Sequence, residues 1–266
     1  MTYLRQASLQ SISNYIVIFG ITNSQVSKID KQVLFMTPEK EVELKKQSAL
    51  KAVEFIRDGQ IVGLGSGSTV QFALDEIARK INTGELKNIT GIPTSLHTEK
   101  RAKELGIPLT TLDENPEIDL TIDGADNVDD DLNLIKGGGG CHLHEKIIAQ
   151  ATKELIIIVD ERKISPKLGE KFYVPVEVIQ KALRTETIYI ESLGAKVEQR
   201  FFENGEPYIT DENNYILMCD FGAIEKPEEL SRKLNARAGI AEHGLFIGMT
   251  SKVVVAGEDG IVIKER

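Results

Sequence analysis

The chain has 266 residues, with 32 Lys and Arg against 41 Asp and Glu, a formal charge of −9 and 41% apolar residues. That length holds one large or two small globular domains, and the acidic balance argues against nucleic acid or an anionic membrane surface as a partner. Two cysteines, Cys141 and Cys219, are too few for a disulfide framework and fit a reducing compartment, and no apolar run reaches the roughly 20 residues of a membrane span.

Residues 1–35 differ in composition from the rest of the chain. Their basic residues are Arg5, Lys28 and Lys31, no acid precedes Asp30, serines recur, and the apolar run at 16–21 is interrupted by Gly20. That run is short for the apolar core of a signal peptide. The segment is expected to be an unstructured extension, with Met36 as a possible working start, and the protein to be cytoplasmic. An organellar transit peptide is the alternative. Thr37-Pro38-Glu39 then supplies an N-cap, a proline at the first helical position and an acid in the first turn.

Apolar residues at 42, 49, 53 and 56 predict a helix over 42–56 closed by Gly59, followed by a strand at 61–64. Val70, Ala73, Leu74, Ile77, Ala78 and Ile81 line one face of an amphipathic helix. A strand at 89–92, a helix over 95–105 stopped by Gly106, and strands at 109–112, 119–123 and 132–135 come next. A helix over 142–152 leads into the buried strand 155–159. Strands alternating with helices predict a mostly parallel, Rossmann-like α/β sheet.

From about residue 169 the rhythm changes. Strand 172–179, helix 181–193 ended by Gly194, strand 196–202, an Asn204-Gly205 turn, strand 215–221, helix 227–237 and strand 244–247 give the order βαββαβ of a ferredoxin-like α+β unit. Strands at 253–255 and 261–263, around Glu258-Asp259-Gly260, are expected to rejoin the first sheet. The expected division is therefore an α/β domain of residues 36–170 plus 249–266, with residues 171–248 inserted.

Three loops carry the candidate chemistry. Gly63-Leu64-Gly65-Ser66-Gly67-Ser68-Thr69 joins a strand to a helix. Glycines there let an anion approach the free N–H groups of the helix start, and the hydroxyls add donors. A tight capped turn explains the same residues equally well. The loop is neither a dinucleotide fingerprint, since Ser68 stands where a glycine is needed, nor a P-loop, since no lysine follows. Asp123-Gly124-Ala125-Asp126-Asn127-Val128-Asp129 follows a strand, where α/β sheets place their ligand crevices. By itself it reads as a solvated acidic turn, and it lacks the spacing of a calcium loop. Lys136-Gly137-Gly138-Gly139-Gly140 precedes a helix bearing Glu145. A cation and exposed amides beside a carboxylate are what proton abstraction next to a carbonyl requires. Cys141-His142-Leu143-His144 is spaced too tightly for zinc and reads as a packed cysteine with two histidines on a polar helix face, so no metal site is expected. His97 and His243 stand alone.

These loops, followed by Asp160-Glu161-Arg162-Lys163 and Val174-Pro175-Val176-Glu177-Val178, resemble the type A ribose-5-phosphate isomerases from about residue 38 to the C-terminus. The resemblance implies interconversion of ribose 5-phosphate and ribulose 5-phosphate without metal or organic cofactor, by a homodimer or larger assembly whose inserted ferredoxin-like unit serves as a lid. It implies substrate binding by Ser66, Gly67, Ser68 and Thr69, by Asp123, Gly124, Ala125 and Asp126, by Lys136, Gly137, Gly138 and Gly139, and by Lys163. Lys45 stands where the family often has a phosphate-contacting lysine. Glu145 matches the general base, Asp123 would assist ring opening, and Lys136 and Asp126 would serve the oxygens at C1 and C2. Two positions depart from the family: Asn127 replaces a common Glu, and His144 replaces an Arg common just before the base. A non-catalytic sugar-phosphate sensor on the same fold is the competing reading, but such a protein would lack the base or the cation, and both Glu145 and Lys136 are present. A coenzyme A transferase relative fits the phosphate-type loop and the chain length less well.

Overall fold

The computed structural model describes residues 37–266; the expectations for residues 1–35 lie outside the described residues. Helix α1 spans Pro38–Val53, and the hydroxyl of Thr37 accepts the Lys40 N–H at 3.2 Å, as the Thr-Pro-Glu start predicts. Strand β1 (Ile61–Leu64) leads into α2 (Ser68–Thr83), and β2 (Thr90–Pro93) into α3 (Leu96–Leu105). Ser95 Oγ caps α3 by accepting the Thr98 N–H, and Gly106 closes it in the left-handed conformation. Strands β3 (Ile118–Gly124), β4 (Asn127–Val128) and β5 (Leu134–Ile135), helix α4 (His142–Gln150) and strand β6 (Thr152–Asp160) follow. Then come β7 (Val174–Val178), α5 (Leu183–Ser192), β8 (Lys196–Gln199), β9 (Tyr215–Asp220), α6 (Pro227–Asn235), β10 (Ile240–His243), β11 (Leu245–Phe246), β12 (Lys252–Gly257) and β13 (Gly260–Glu265).

Residues 43–266 form one compact unit containing three sheets. The largest has the order β13-β12-β6-β3-β1-β2, parallel from β12 to β2, with β13 antiparallel at one edge. Its side chains alternate between two cores, as the pleat requires. Leu120, Ile122, Ile156, Ile158 and Val254 face one with the apolar stripes of α1 and α2, while Leu155, Ile157, Val159, Val253 and Val255 face the other with Phe246. The closing strands β12 and β13 rejoin this sheet, as the sequence predicts. The second sheet, β10-β7-β9-β8, is antiparallel, and with α5 and α6 it has the βαββαβ order of a ferredoxin-like unit around a core of its own. A small third sheet, β11-β5-β4, lies between the two cores, with Val128, Leu134 and Phe246 packed into that of the large sheet and Ile135 and Leu245 into that of the second. Among the described residues no helix is long and apolar enough to cross a membrane.

Four predicted strands come out differently; that at 196–202 ends at Gln199 as β8, with Phe201 in an isolated bridge to Pro207. Residues 109–112 make only one isolated bridge, Leu109 to Gly91. The Thr110 hydroxyl donates to Glu114, and the Thr111 hydroxyl and carbonyl accept the N–H groups of Glu114 and Asn115, so a turn competes with the strand. The strand at 132–135 shortens to β5, because Leu132 sits at φ 57° in a turn where the Asp129 carboxylate takes the N–H groups of Asp131 and Asn133. The strand at 244–247 divides. The fourth ferredoxin strand is β10, upstream, and β11 crosses to the third sheet. Gly244 is the crossing: its N–H donates to Pro175 in the second sheet, and its carbonyl accepts the N–H of Lys136.

Candidate active site

Lys136 leaves β5 with its backbone N–H fixed by Gly244, and its side chain runs into the space beyond the carboxyl end of β3. There its ammonium donates to the Gly124 carbonyl at 2.7 Å and lies 3.0 Å from Asp123 Oδ2 and 3.1 Å from Glu145 Oε2. Asp123, Lys136 and Glu145 are all buried. Parallel sheets place ligand crevices at this end of their strands. Glu145 is held in the first turns of α4, with its N–H bonded to the Cys141 carbonyl. Its Oε2 pairs with Lys136 by charge but receives no aligned hydrogen bond from the described residues, a buried acceptor left without a donor.

One cation thus serves two carboxylates. Burial opposes the Lys136 charge, but Asp123 and then Glu145 outweigh it and hold its pKa above the ordinary value. Glu145 is pushed up to about 8, first by burial, against the pull of Lys136 and with the help of the Asp123 charge. A buried carboxylate so destabilised accepts a proton readily near neutral pH.

In the glycine-rich turn after β1, two of the glycines and one backbone N–H answer to the neighbouring strand β3. A Cβ on Gly63 would stand 1.9 Å from the Thr121 hydroxyl, and one on Gly65 2.3 Å from Asp123 Oδ1, so both glycines answer to the closeness of β3. The Ser66 N–H is spent on Asp123 Oδ1 at 3.0 Å, which orients the carboxylate that pairs with Lys136. Its hydroxyl lies 2.8 Å from both Thr94 Oγ1 and Ser95 Oγ, within a cluster completed by Thr98. Gly67, at φ 101°, and Ser68 remain exposed at the start of α2, with Thr69 half-buried behind them.

The second and third loops are tied together. Asp126 accepts the Gly138 N–H at 2.7 Å, and Gly138 has no room for a side chain between Asp126 and Phe172. Gly137, at φ 101°, packs against His142, and the exposed Gly139 offers its carbonyl to the Tyr208 hydroxyl. Gly124 and Ala125, half-buried, connect the two aspartates. Lys163 lies outside this inner cluster, on the loop after β6, with its ammonium 5.9 Å from the ring of Phe172. Lys45 is half-buried on α1.

Of the two histidines in Cys141-His142-Leu143-His144, His142 departs from expectation and His144 does not. His142 is fully buried rather than on a polar face, its ring nitrogens lack hydrogen-bond partners among the described residues, with the Glu177 carboxylate 3.9 Å from Nε2, and burial lowers its pKa to about 3. His144 is partly exposed and bonded to Glu212 at 2.6 Å. Cys141 is half-buried at the head of α4, where burial pushes its thiol up to about 11. Among the described residues no group of three or more His, Cys, Asp or Glu is placed to hold a metal ion. Sequence reasoning missed Phe172, Phe246, Tyr208 and the hydroxyls of Thr94, Ser95 and Thr98. Only the last group left a local trace, as a helix cap.

Residues 90–260 match the family model described as ribose 5-phosphate isomerase A, or phosphoriboisomerase A. The chain is 56% identical over 218 residues to a ribose-5-phosphate isomerase A of Desulfatibacillum aliphaticivorans, covering 82% of this chain and 95% of that protein. It is 48% identical over 217 residues to one of Chloroflexus aurantiacus, covering 82% and 91%. Among solved structures it resembles a D-ribose-5-phosphate isomerase in complex with phospho-erythronic acid, with a TM-score of 0.84, 38% identity, and coverage of 87% of this chain and 100% of that one. The ribose 5-phosphate isomerase of Plasmodium falciparum is similar at a TM-score of 0.82 and 37% identity, covering 85% and 99%.

Proposed function

The chain belongs to the ribose 5-phosphate isomerase A family and interconverts ribose 5-phosphate and ribulose 5-phosphate, a reaction of the pentose phosphate pathway, and we propose that it does so through an enediolate with Glu145 as the base. The carrying observation is the buried Glu145 carboxylate, raised in pKa and lacking an aligned donor, 3.1 Å from a lysine that also holds Asp123.

Asp123 assists opening of the sugar ring. Glu145 then takes the proton from C2 of the open aldose, and the electron pair left behind forms the C1–C2 double bond while the C1 carbonyl oxygen becomes negative. Lys136 stabilises that charge, and Asp126 exchanges protons with the oxygens at C1 and C2. Glu145 returns its proton to C1, the C2 hydroxyl loses its own, and the ketose results. The phosphate is a remote handle held by the Gly67, Ser68 and Thr69 end of α2 and by Lys163, and its binding energy orients the reacting carbons. Gly124, Ala125, Gly137 and Gly139 shape the walls between these groups. The hydroxyl of Ser66, turned into the Thr94–Ser95–Thr98 cluster, serves the loop rather than the phosphate.

In this reading residues 36–170 with 249–266 form the catalytic domain and residues 171–248 a lid, and the protein works as a cytoplasmic homodimer on a sugar phosphate, without nucleic acid as a partner. The sheet assignments of β7 to β10 and of β12 and β13 support that division, although β11 pairs with β5 across the boundary. Incubation with ribose 5-phosphate, monitored for ketose formation, tests the activity. Turnover should persist in excess chelator, because Lys136 and the loop amides supply the electrophile. Loss of activity that a divalent ion restores would overturn that account.

A further inference from the structure

Asn127 has no place in the proton transfer, yet it is fully buried and every part of its amide is used. It follows Asp126 directly, in β4. Its Nδ2 donates to the Lys163 carbonyl at 3.0 Å and to Ser165 Oγ at 2.6 Å, and its Oδ1 accepts the Gly169 N–H at 3.1 Å. One side chain therefore grips the loop after β6 at three points. The backbone of β4 adds a fourth, since the Ser165 N–H donates to the Val128 carbonyl.

The same loop is held at the tip of Lys163. Its ammonium lies 5.9 Å from the ring of Phe172, whose Cζ would stand 3.0 Å from a Cβ on Gly138. Gly138 in turn donates its N–H to Asp126. The contacts close a circuit from Asp126 to Asn127, through the Lys163 backbone and side chain to Phe172, and back through Gly138 to Asp126. A lysine's long stem is costly to order, so fixing its backbone and giving its charge an aromatic face reduces what a ligand must do on arrival.

We propose that Asn127 is a positioning residue for substrate binding, which fixes the distance between the Asp126 loop and the ammonium of Lys163 and so sets affinity for the phosphorylated end of the sugar. This deepens the isomerase reading of the site and rests on its assignment of Lys163 to substrate binding. Because Lys163 holds the substrate alike in ground and transition states, a disturbed Lys163 loop costs binding and leaves the chemical step alone.

The test is a double-mutant cycle on the full chain with ribose 5-phosphate as substrate. Asn127→Asp keeps the size and the acceptor for Gly169 but removes both donors, and it should raise KM by about three- to tenfold with kcat within about twofold. Lys163→Ala should raise KM at least as much. The combined variant should be no worse than Lys163→Ala alone, because Asn127 acts through that lysine. Asn127→Ser, which restores a short donor, separates loss of donors from the added charge and should fall between wild type and Asp. Additive effects, a fall in kcat with unchanged KM, or a raised KM for Asn127→Asp beside an unchanged one for Lys163→Ala would each overturn the proposal. Wild-type turnover abolished by Glu145→Gln is measured alongside. Its absence would refute the reading of the site itself, which the Asn127 results leave untouched.

Discussion

Two buried lysines, Lys136 and Lys146, share the ring of Phe246, with their ammonium groups 5.5 and 4.9 Å from its centre. They are almost equally hidden, at 3% and 5% exposure, yet the pKa of Lys136 is raised and that of Lys146 lowered. Burial opposes both charges, so the partners decide. Lys136 faces two carboxylates, Asp123 and Glu145. Lys146 has one, Glu242 at 2.7 Å, with the His243 carbonyl at 2.6 Å. There burial wins over Glu242, and the lysine ties α4 to β10 with its charge matched one to one. At Lys136 one carboxylate is left in surplus, and that surplus is Glu145. A matched pair holds structure, whereas an unmatched one holds a base.

The largest effect should come from removing the surplus. Glu145→Gln keeps shape but cannot accept a proton, so kcat should fall by at least about 10²- to 10⁴-fold while ribose 5-phosphate still binds. The same variant carries a stability signature. Glu145 is raised from 4.5 to about 8, so its ionisation costs nothing below the unfolded pKa and costs increasingly as pH rises toward 8. Glu145→Gln should therefore melt higher than wild type at pH 8, by about 2 °C or more, with the gain vanishing near pH 4. A variant that melts lower at pH 8 would show that Glu145 is matched after all.

That surplus was only partly legible in the sequence. Lys136 and Glu145 stand either side of a run of glycines, and the need for a cation beside a carboxylate could be read there. Asp123 lies earlier in the chain, and nothing local says that it shares the same ammonium. The fold shows the same division. Periodicity and caps located α2, α3 and β1 because those signals are local. The strand ends at 132–135 and 244–247 were misplaced because a side chain of Asp129 and a crossing at Gly244 decide them. In the turn after β1 the glycines are visible in the sequence but their reason is not, since Thr121 and Asp123 exclude side chains at Gly63 and Gly65 from a neighbouring strand. In the sequence Asn127 stands out only as a departure from the family. Its three partners lie beyond the reach of any spacing rule.

Asp123→Asn reduces the surplus without touching the base. The Asp123 charge raises the pKa of Glu145, and Lys136 lowers it. Neutralising Asp123 therefore frees the lysine for Glu145 and lowers the pKa of the base. In the wild type kcat/KM should decline as pH falls through the range near 8; in the variant that acid limb should move to lower pH, while kcat drops by about ten- to a hundredfold from weakened proton handling. A limb that stays in place would mean the two carboxylates do not share Lys136 in solution.

Lys146→Met tests the matched side. It removes one partner of a mostly buried pair while keeping an apolar stem against Phe246, and Glu242 retains the His243 N–H at 2.8 Å. The expected stability loss is about 1–3 kcal/mol, the cost of leaving a buried acceptor short of a donor, read as a fall in Tm of about 2–12 °C. The acid limb of kcat/KM should not move, because Lys146 pairs with Glu242 and not with Glu145. A shifted limb at unchanged Tm would dissolve the distinction between the two lysines.

The smallest effect is expected at the residue that precedes the base. His144 is the plainest rival to Glu145 on residue type alone, since imidazole is the commonest general base near neutral pH. Its surroundings argue otherwise. The side chain is 32% exposed and its Nε2 is engaged by Glu212, itself 52% exposed, at 2.6 Å. Successive positions on a helix do not share a face, so the residue beside Glu145 is turned from the cluster that Glu145 joins. An exposed pair of that kind contributes roughly 0–1 kcal/mol. His144→Ala should therefore change kcat by less than about threefold and Tm by no more than a few degrees. If it is more damaging to kcat than Glu145→Gln, the proton moves through the histidine, and the unmatched carboxylate beside Lys136 has some other purpose.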